Sequence, residues 1–127
     1  MSTGRVIGEV FKEIQYAYLL LEAEGFLEDA DHGEWDGPSD SPHLIPGSLA
    51  FAVRLPMEGA VKVQVLRDGY EGDLLPRVIF SGRLDPNIGE FVVSDPLETF
   101  RIAFSGSGLF EVRLDEPQAG QVQIIAF

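Results

Sequence analysis

The residues in this 127-residue chain with the clearest chemical potential are its carboxylates, and they are not evenly spread. Eight acids fall between Glu22 and Asp40: Glu22, Glu24, Glu28, Asp29, Asp31, Glu34, Asp36 and Asp40. No Lys or Arg occurs between Lys12 and Arg54. Such a cluster can bind a hard cation or meet a basic partner. Asp29, Asp31 and Asp36, with Gly33 in the turn, have the alternation a calcium loop uses, because calcium wants six to eight oxygens. The EF-hand pattern fails on counting: the glycine stands at position five, Glu34 at position six, and Asp40 replaces the bidentate glutamate at twelve. His32 and His43 are the only histidines, and eleven residues of separation matches no compact zinc spacing. With Asp31 or Glu34 the histidines offer only a weak metal site, and the cofactor the acidic run could hold is calcium, through Asp29, Asp31 and Asp36. The expected state is no cofactor.

Covalent catalysis has less to offer. The chain has no cysteine, which excludes disulfides, thiolate zinc sites and thiol nucleophiles. None of its serines lies in a strained nucleophile elbow. Ser105-Gly106-Ser107-Gly108 is rich in glycine but lacks the lysine and the helix of a phosphate cradle, and reads as a hairpin turn. Abundant acids make any pair of carboxylates uninformative for glycoside hydrolysis. The expectation is a protein without a catalytic site.

Charge narrows the partners. The formal charge is −12, and the 13 acids outside the 22–40 segment face 9 basic residues, so that segment supplies −8. Such a surface repels nucleic-acid phosphates and anionic membranes, which need Lys and Arg contacts. It attracts basic proteins, mainly by speeding encounter. The expected partner-binding residues are Glu28, Asp29, Asp31, Glu34, Trp35 and Asp36. Trp35 is the only tryptophan, serving either as an anchor of the segment on the core or as an exposed recognition residue. The alternative function is a calcium- or small-ligand-binding β-domain.

The elements that must position this segment read mostly as strands. Seven glycines and prolines between Gly25 and Gly47 make regular structure over about 24–47 unexpected. A loop that long in a compact domain is generally functional or disordered. Before it, Glu9 to Glu22 fits a strand better than a helix from Glu13 onward, on its aromatic and β-branched content. After it, Leu49 to Leu55 and Val61 to Leu66 alternate with period two around Pro56-Met57-Glu58-Gly59, the pattern of a hairpin. Further strand-like runs follow at 78–84, 91–93, 100–104, 110–114 and 122–127. The last is apolar on both faces, as an interior strand is. Spacings near ten residues leave no room for crossover helices. The expected fold is all-β: an antiparallel β-sandwich or flattened barrel of about seven or eight strands, forming one domain over 1–127, with the acidic loop (24–47) after the first strand. Tyr16 and Tyr18 are expected to pack within it.

Neither the amino terminus nor Tyr16 to Leu21 has the apolar length of a signal-peptide core or a membrane span. A cytoplasmic protein is expected.

The order of features also resembles a family. An aromatic-apolar strand, Ile14 to Leu20, leads to an acidic segment with Trp35. Gly47-Ser48-Leu49-Ala50-Phe51 follows, then Gly82, Ser94-Asp95-Pro96, the strand Gly108-Leu109-Phe110-Glu111-Val112-Arg113 and a closing apolar strand. This is similar to the competence-protein-J type of nuclease inhibitor and its small bacterial β-domain relatives. The resemblance implies a non-catalytic protein that inhibits a nuclease by binding it, and assigns no contact role to any residue of this chain.

Overall fold

The computed structural model describes residues 6–23, 41–45, 47–84, 89–116 and 119–127. Ten strands lie within them: β1 (Val6–Lys12), β2 (Tyr18–Ala23), β3 (His43–Ile45), β4 (Ser48–Ala52), β5 (Val61–Arg67), β6 (Arg77–Arg83), β7 (Glu90–Ser94), β8 (Arg101–Ser105), β9 (Leu109–Leu114) and β10 (Gln121–Ala126). One sheet has the order β1-β5-β10-β9-β6 and the other β3-β4-β2-β7-β8. The two form an open sandwich, and every pairing except β5 with β10 is antiparallel.

Alternation determines what each sheet buries. In the first sheet Val10, Val63, Val122 and Leu114 form one cross-strand row, and Val65, Ile124 and Val112 form the next. The second sheet answers with Leu19, Leu21, Leu49, Phe51, Phe91, Val93 and Phe104, all in the same core. Phe110 of β9 meets Phe91 of β7 edge-on at 4.9 Å and Phe104 of β8 at 5.9 Å, so one aromatic cluster joins the sheets. Along one side the sheets also touch at their edges, where β1 comes against β8. A Cβ on Gly8 would lie 2.8 Å from Ile102 Cγ2, so the close approach there requires glycine.

Several expectations change. The run from Glu9 to Glu22 is not one strand. β1 and β2 are separate and in different sheets, joined by a turn closed by the Ala17 N–H on the Ile14 carbonyl at 3.2 Å. The runs at 49–55 and 61–66 do not form a hairpin either, because β4 and β5 belong to opposite sheets. The eight residues between them, with a 3-10 turn at Pro56–Glu58, carry the chain across the sandwich. Val53 N–H and Arg54 N–H turn away to the carbonyls of Ala17 and Ala119. Ser105 to Gly108 likewise links β8 to β9 across the sheets and is not a hairpin turn. Within the stretch expected to lack regular structure, His43–Ile45 adds an edge strand on β4. These splits and additions raise the strands to ten from the seven or eight expected. The carboxyl-terminal strand is interior as expected, at the centre of its sheet.

The connection from β5 to β6 shows how polar residues hold the fold. It must pass β10 and β9 to reach the far edge of the sheet. On the outer face, Glu9, Gln64, Gln123 and Arg113 stand in one cross-strand row. Gln123 is buried, and its amide tethers the passing chain. Its Oε1 accepts from Leu75 N–H at 2.7 Å, and its Nε2 donates to the Asp73 carbonyl at 2.9 Å and to Gln64 Oε1 at 3.3 Å. Arg113 adds a bond from Nη1 to the Leu75 carbonyl at 3.0 Å.

Candidate partner-binding surface

Glu28, Asp29, Asp31, Glu34, Trp35 and Asp36, with His32, lie outside the described residues. The structure does establish where their segment is rooted. The chain leaves the second sheet at Ala23, whose N–H bonds the Gly47 carbonyl at 2.8 Å. Beside it, Ser48 Oγ donates to Glu22 Oε2 at 3.0 Å. It returns at Ser41, whose Oγ accepts from Ala52 N–H at 2.9 Å. Strands β2 and β3 both run antiparallel to β4, which lies between them. Exit and return are therefore at opposite ends of β4, about 17 Å apart for five residues of strand.

The return point sits at one end of the sandwich, and the neighbouring loops are tied to each other. Val53 N–H bonds the Ala17 carbonyl at 2.9 Å, joining the loop after β4 to the turn after β1. Arg54 N–H bonds the Ala119 carbonyl at 3.0 Å, joining that loop to the β9–β10 turn. Asp115 Oδ1 organises the latter turn by accepting from the N–H groups of Glu116, Gly120 and Gln121 at 2.9 to 3.1 Å. The Arg54 guanidinium lies across Gly120, where a Cβ would collide with it, and reaches Glu116 Oε1 at 3.4 Å. A hollow of about 330 Å³ opens between Phe11, Arg54, Lys62 and Gln121. Glu58 closes the 3-10 turn by accepting from Leu55 N–H at 3.2 Å. On the β7–β8 loop at the same end, buried Asp95 accepts from Thr99 N–H and Thr99 Oγ1 at 2.6 and 2.7 Å.

This end of the sandwich holds apolar side chains outward, from its loops and from the end of β1. Met57 is 89% exposed, Phe11 70%, Tyr16 60% and Leu97 52%, the four most exposed large apolar side chains among the described residues. Tyr16 thus departs from its expected packing role and stands out from the turn, while Tyr18 is half-buried on β2. Sequence reasoning did not single out Met57 or Leu97, because a residue in a turn has no periodicity to mark which way it points.

Burial raises the Tyr18 phenol above its usual 10.0, with smaller contributions from Tyr16 and Glu22. The folded state then holds this proton more tightly than the unfolded chain does. The associated stability is present below about pH 10 and lost as pH rises through the folded value. Denaturant midpoints measured from pH 8 to 11 should fall more steeply for wild type than for Tyr18→Phe; parallel curves would exclude the effect.

No group of three or more His, Asp or Glu side chains that could hold a metal occurs among the described residues. His43 pairs in register with Ala50 on the edge strand, and the Asp29, Asp31 and Asp36 set lies outside the described residues. No helix among the described residues is long and apolar enough to cross a membrane.

No known family profile matches the chain, and neither does any curated protein. A solved structure does. ComJ from Bacillus subtilis, inhibitor of the DNA degrading activity of NucA, superposes with a TM-score of 0.66. The match covers 96% of each chain at 10% sequence identity. The two share a fold from end to end, as the resemblance in feature order implied. At that identity no residue role passes from one chain to the other.

Proposed function

We propose that this protein is a non-enzymatic, cytoplasmic inhibitor that binds a basic protein, with a DNA-degrading nuclease as the foremost class of partner. The observation that carries the proposal is the end-to-end fold shared with ComJ, a protein whose work is inhibition of a nuclease. The charge supports it independently. An enzyme that degrades DNA presents a cationic cleft to phosphates. A protein with −8 of its −12 gathered in one segment is suited to approach such a cleft. In this reading Glu28, Asp29, Asp31, Glu34 and Asp36 supply the attraction, and Trp35 a fixed apolar contact.

The test is capture from native lysate at low and high salt. Wild type is compared with a variant carrying Asp29→Asn, Asp31→Asn, Glu34→Gln and Asp36→Asn. Wild type should retain a basic protein that salt releases, and that protein should degrade DNA until the inhibitor is added. The variant should associate at least about tenfold more slowly at low salt, because charge acts mainly on encounter. Capture by the variant equal to wild type, or a captured protein whose activity is untouched, would remove the proposal.

A further inference from the structure

We infer that the loop end built on Tyr16, Leu55 and Met57 is the apolar anchor of the partner interface, and that it docks the same basic protein. This rests on the inhibitor reading and adds to it the surface that holds the partner once charge has brought it near.

Three observations converge on this end. The first is exposure: Met57, Phe11, Tyr16 and Leu97 lead the described residues in exposed apolar surface. Isolated exposed apolar residues are ordinary, but Tyr16, Leu55 and Met57 lie on two loops that a backbone bond joins, and grouped exposed apolar surface marks interaction sites. Tyr and Met are among the residues enriched at interfaces.

The second is rigidity. The backbone bonds from Val53 to Ala17 and from Arg54 to Ala119 lock three loops together. Leu55 and Met57 sit on a 3-10 turn closed by Glu58. Anchors held in place before binding lose less conformational entropy on contact. Among the described residues, two non-glycine residues have left-handed backbone, Ala17 at φ 59° and Glu98 at φ 52°. Both are at this end, directly beside Tyr16 and Leu97. Such conformations cost energy and persist where the surroundings impose them, commonly at binding sites.

The third is charge. Glu13, Glu58, Glu98, Asp115 and Glu116 lie in these loops, where Arg54 is the sole basic residue, with Lys12 and Lys62 at the adjoining strand ends. Apolar anchors on loops in which acids outnumber bases suit a basic partner better than a second copy of this acidic chain. The acidic segment also rejoins the fold here, at Ser41.

The experiment uses the full chain and, as probe, the basic protein retained by wild type at low salt, purified. Association and dissociation rates are measured for wild type, the four-acid variant, and Tyr16→Ala/Met57→Ala. The two exposed side chains can be removed without a core cavity, so the double variant should melt within a degree or two of wild type. It should dissociate at least about thirtyfold faster with its salt dependence intact, the signature of lost hot-spot contacts. The four-acid variant should instead associate slowly. A double variant that binds within threefold of wild type overturns the anchor while the inhibitor reading stands. Wild-type self-association in sedimentation, abolished by the double variant, also overturns it. If no basic protein is retained, both readings fall.

Discussion

Phe110→Ala is expected to lower the stability of this protein by about 3 to 5 kcal/mol, the range for removing a large buried aromatic side chain. Phe110 is one of the side chains through which the sheets meet. It comes from β9 and presents its ring edge-on to Phe91 and Phe104 of the facing sheet. Truncation forfeits the buried area, the two ring contacts and the packing around a cavity that rigid strands on both sides keep from collapsing. Phe11→Ala is the control. It removes the same group from a site 70% exposed and should change stability by less than about 0.5 kcal/mol. Urea midpoints of the two variants measure the contrast directly. Equal midpoints would mean that the sheets do not face each other through Phe110.

Gln123→Leu should also destabilise, by about 1 to 3 kcal/mol, although it makes the strand more apolar. Hydrophobic patterning alone would favour the change, since Gln123 is buried at the centre of its sheet. The amide, however, supplies the partners of Leu75 N–H and the Asp73 carbonyl. Leucine would leave both without them; Asp73 is exposed and Leu75 half-buried, so the loss is that of two hydrogen bonds, at about 0.5 to 1.5 kcal/mol each. Hydrogen exchange gives the sharper readout: Leu75 should lose protection while the amides of β10 keep most of theirs. Preserved protection at Leu75 would show that something other than Gln123 tethers the crossing.

The charge asymmetry of the chain was legible from residue types, because an acid carries its charge whatever the fold does. The asymmetry of −8 in one segment and the lack of a cysteine or a recognisable nucleophile needed no coordinates. The apolar loop tips were not legible. Met57 lies in a turn between two alternating runs, and its near-complete exposure follows only from where Val53 and Arg54 find their hydrogen-bond partners. Tyr16 was misread for a related reason. Ile14, Tyr16 and Tyr18 fit one strand face by spacing, but Ala17 adopts left-handed backbone and breaks the alternation between Tyr16 and Tyr18.

The sequence by itself determined that the chain is built of short strands, which residues of most strands face the core, and that its last strand is interior. These properties follow from period-two alternation and from apolar content on both faces, and each is local to one strand. Only the tertiary structure decided which strands are partners. Leu49 to Leu55 and Val61 to Leu66 look like the arms of a hairpin, yet they lie in opposite sheets, and β5 takes as neighbours β1 and a parallel β10 from the far end of the chain. An inward-facing strand satisfies the same apolar pattern in either sheet of a sandwich. The choice between sheets rests on contacts distant in sequence, such as Arg54 with Ala119 and Gln123 with Leu75, and no local pattern encodes them.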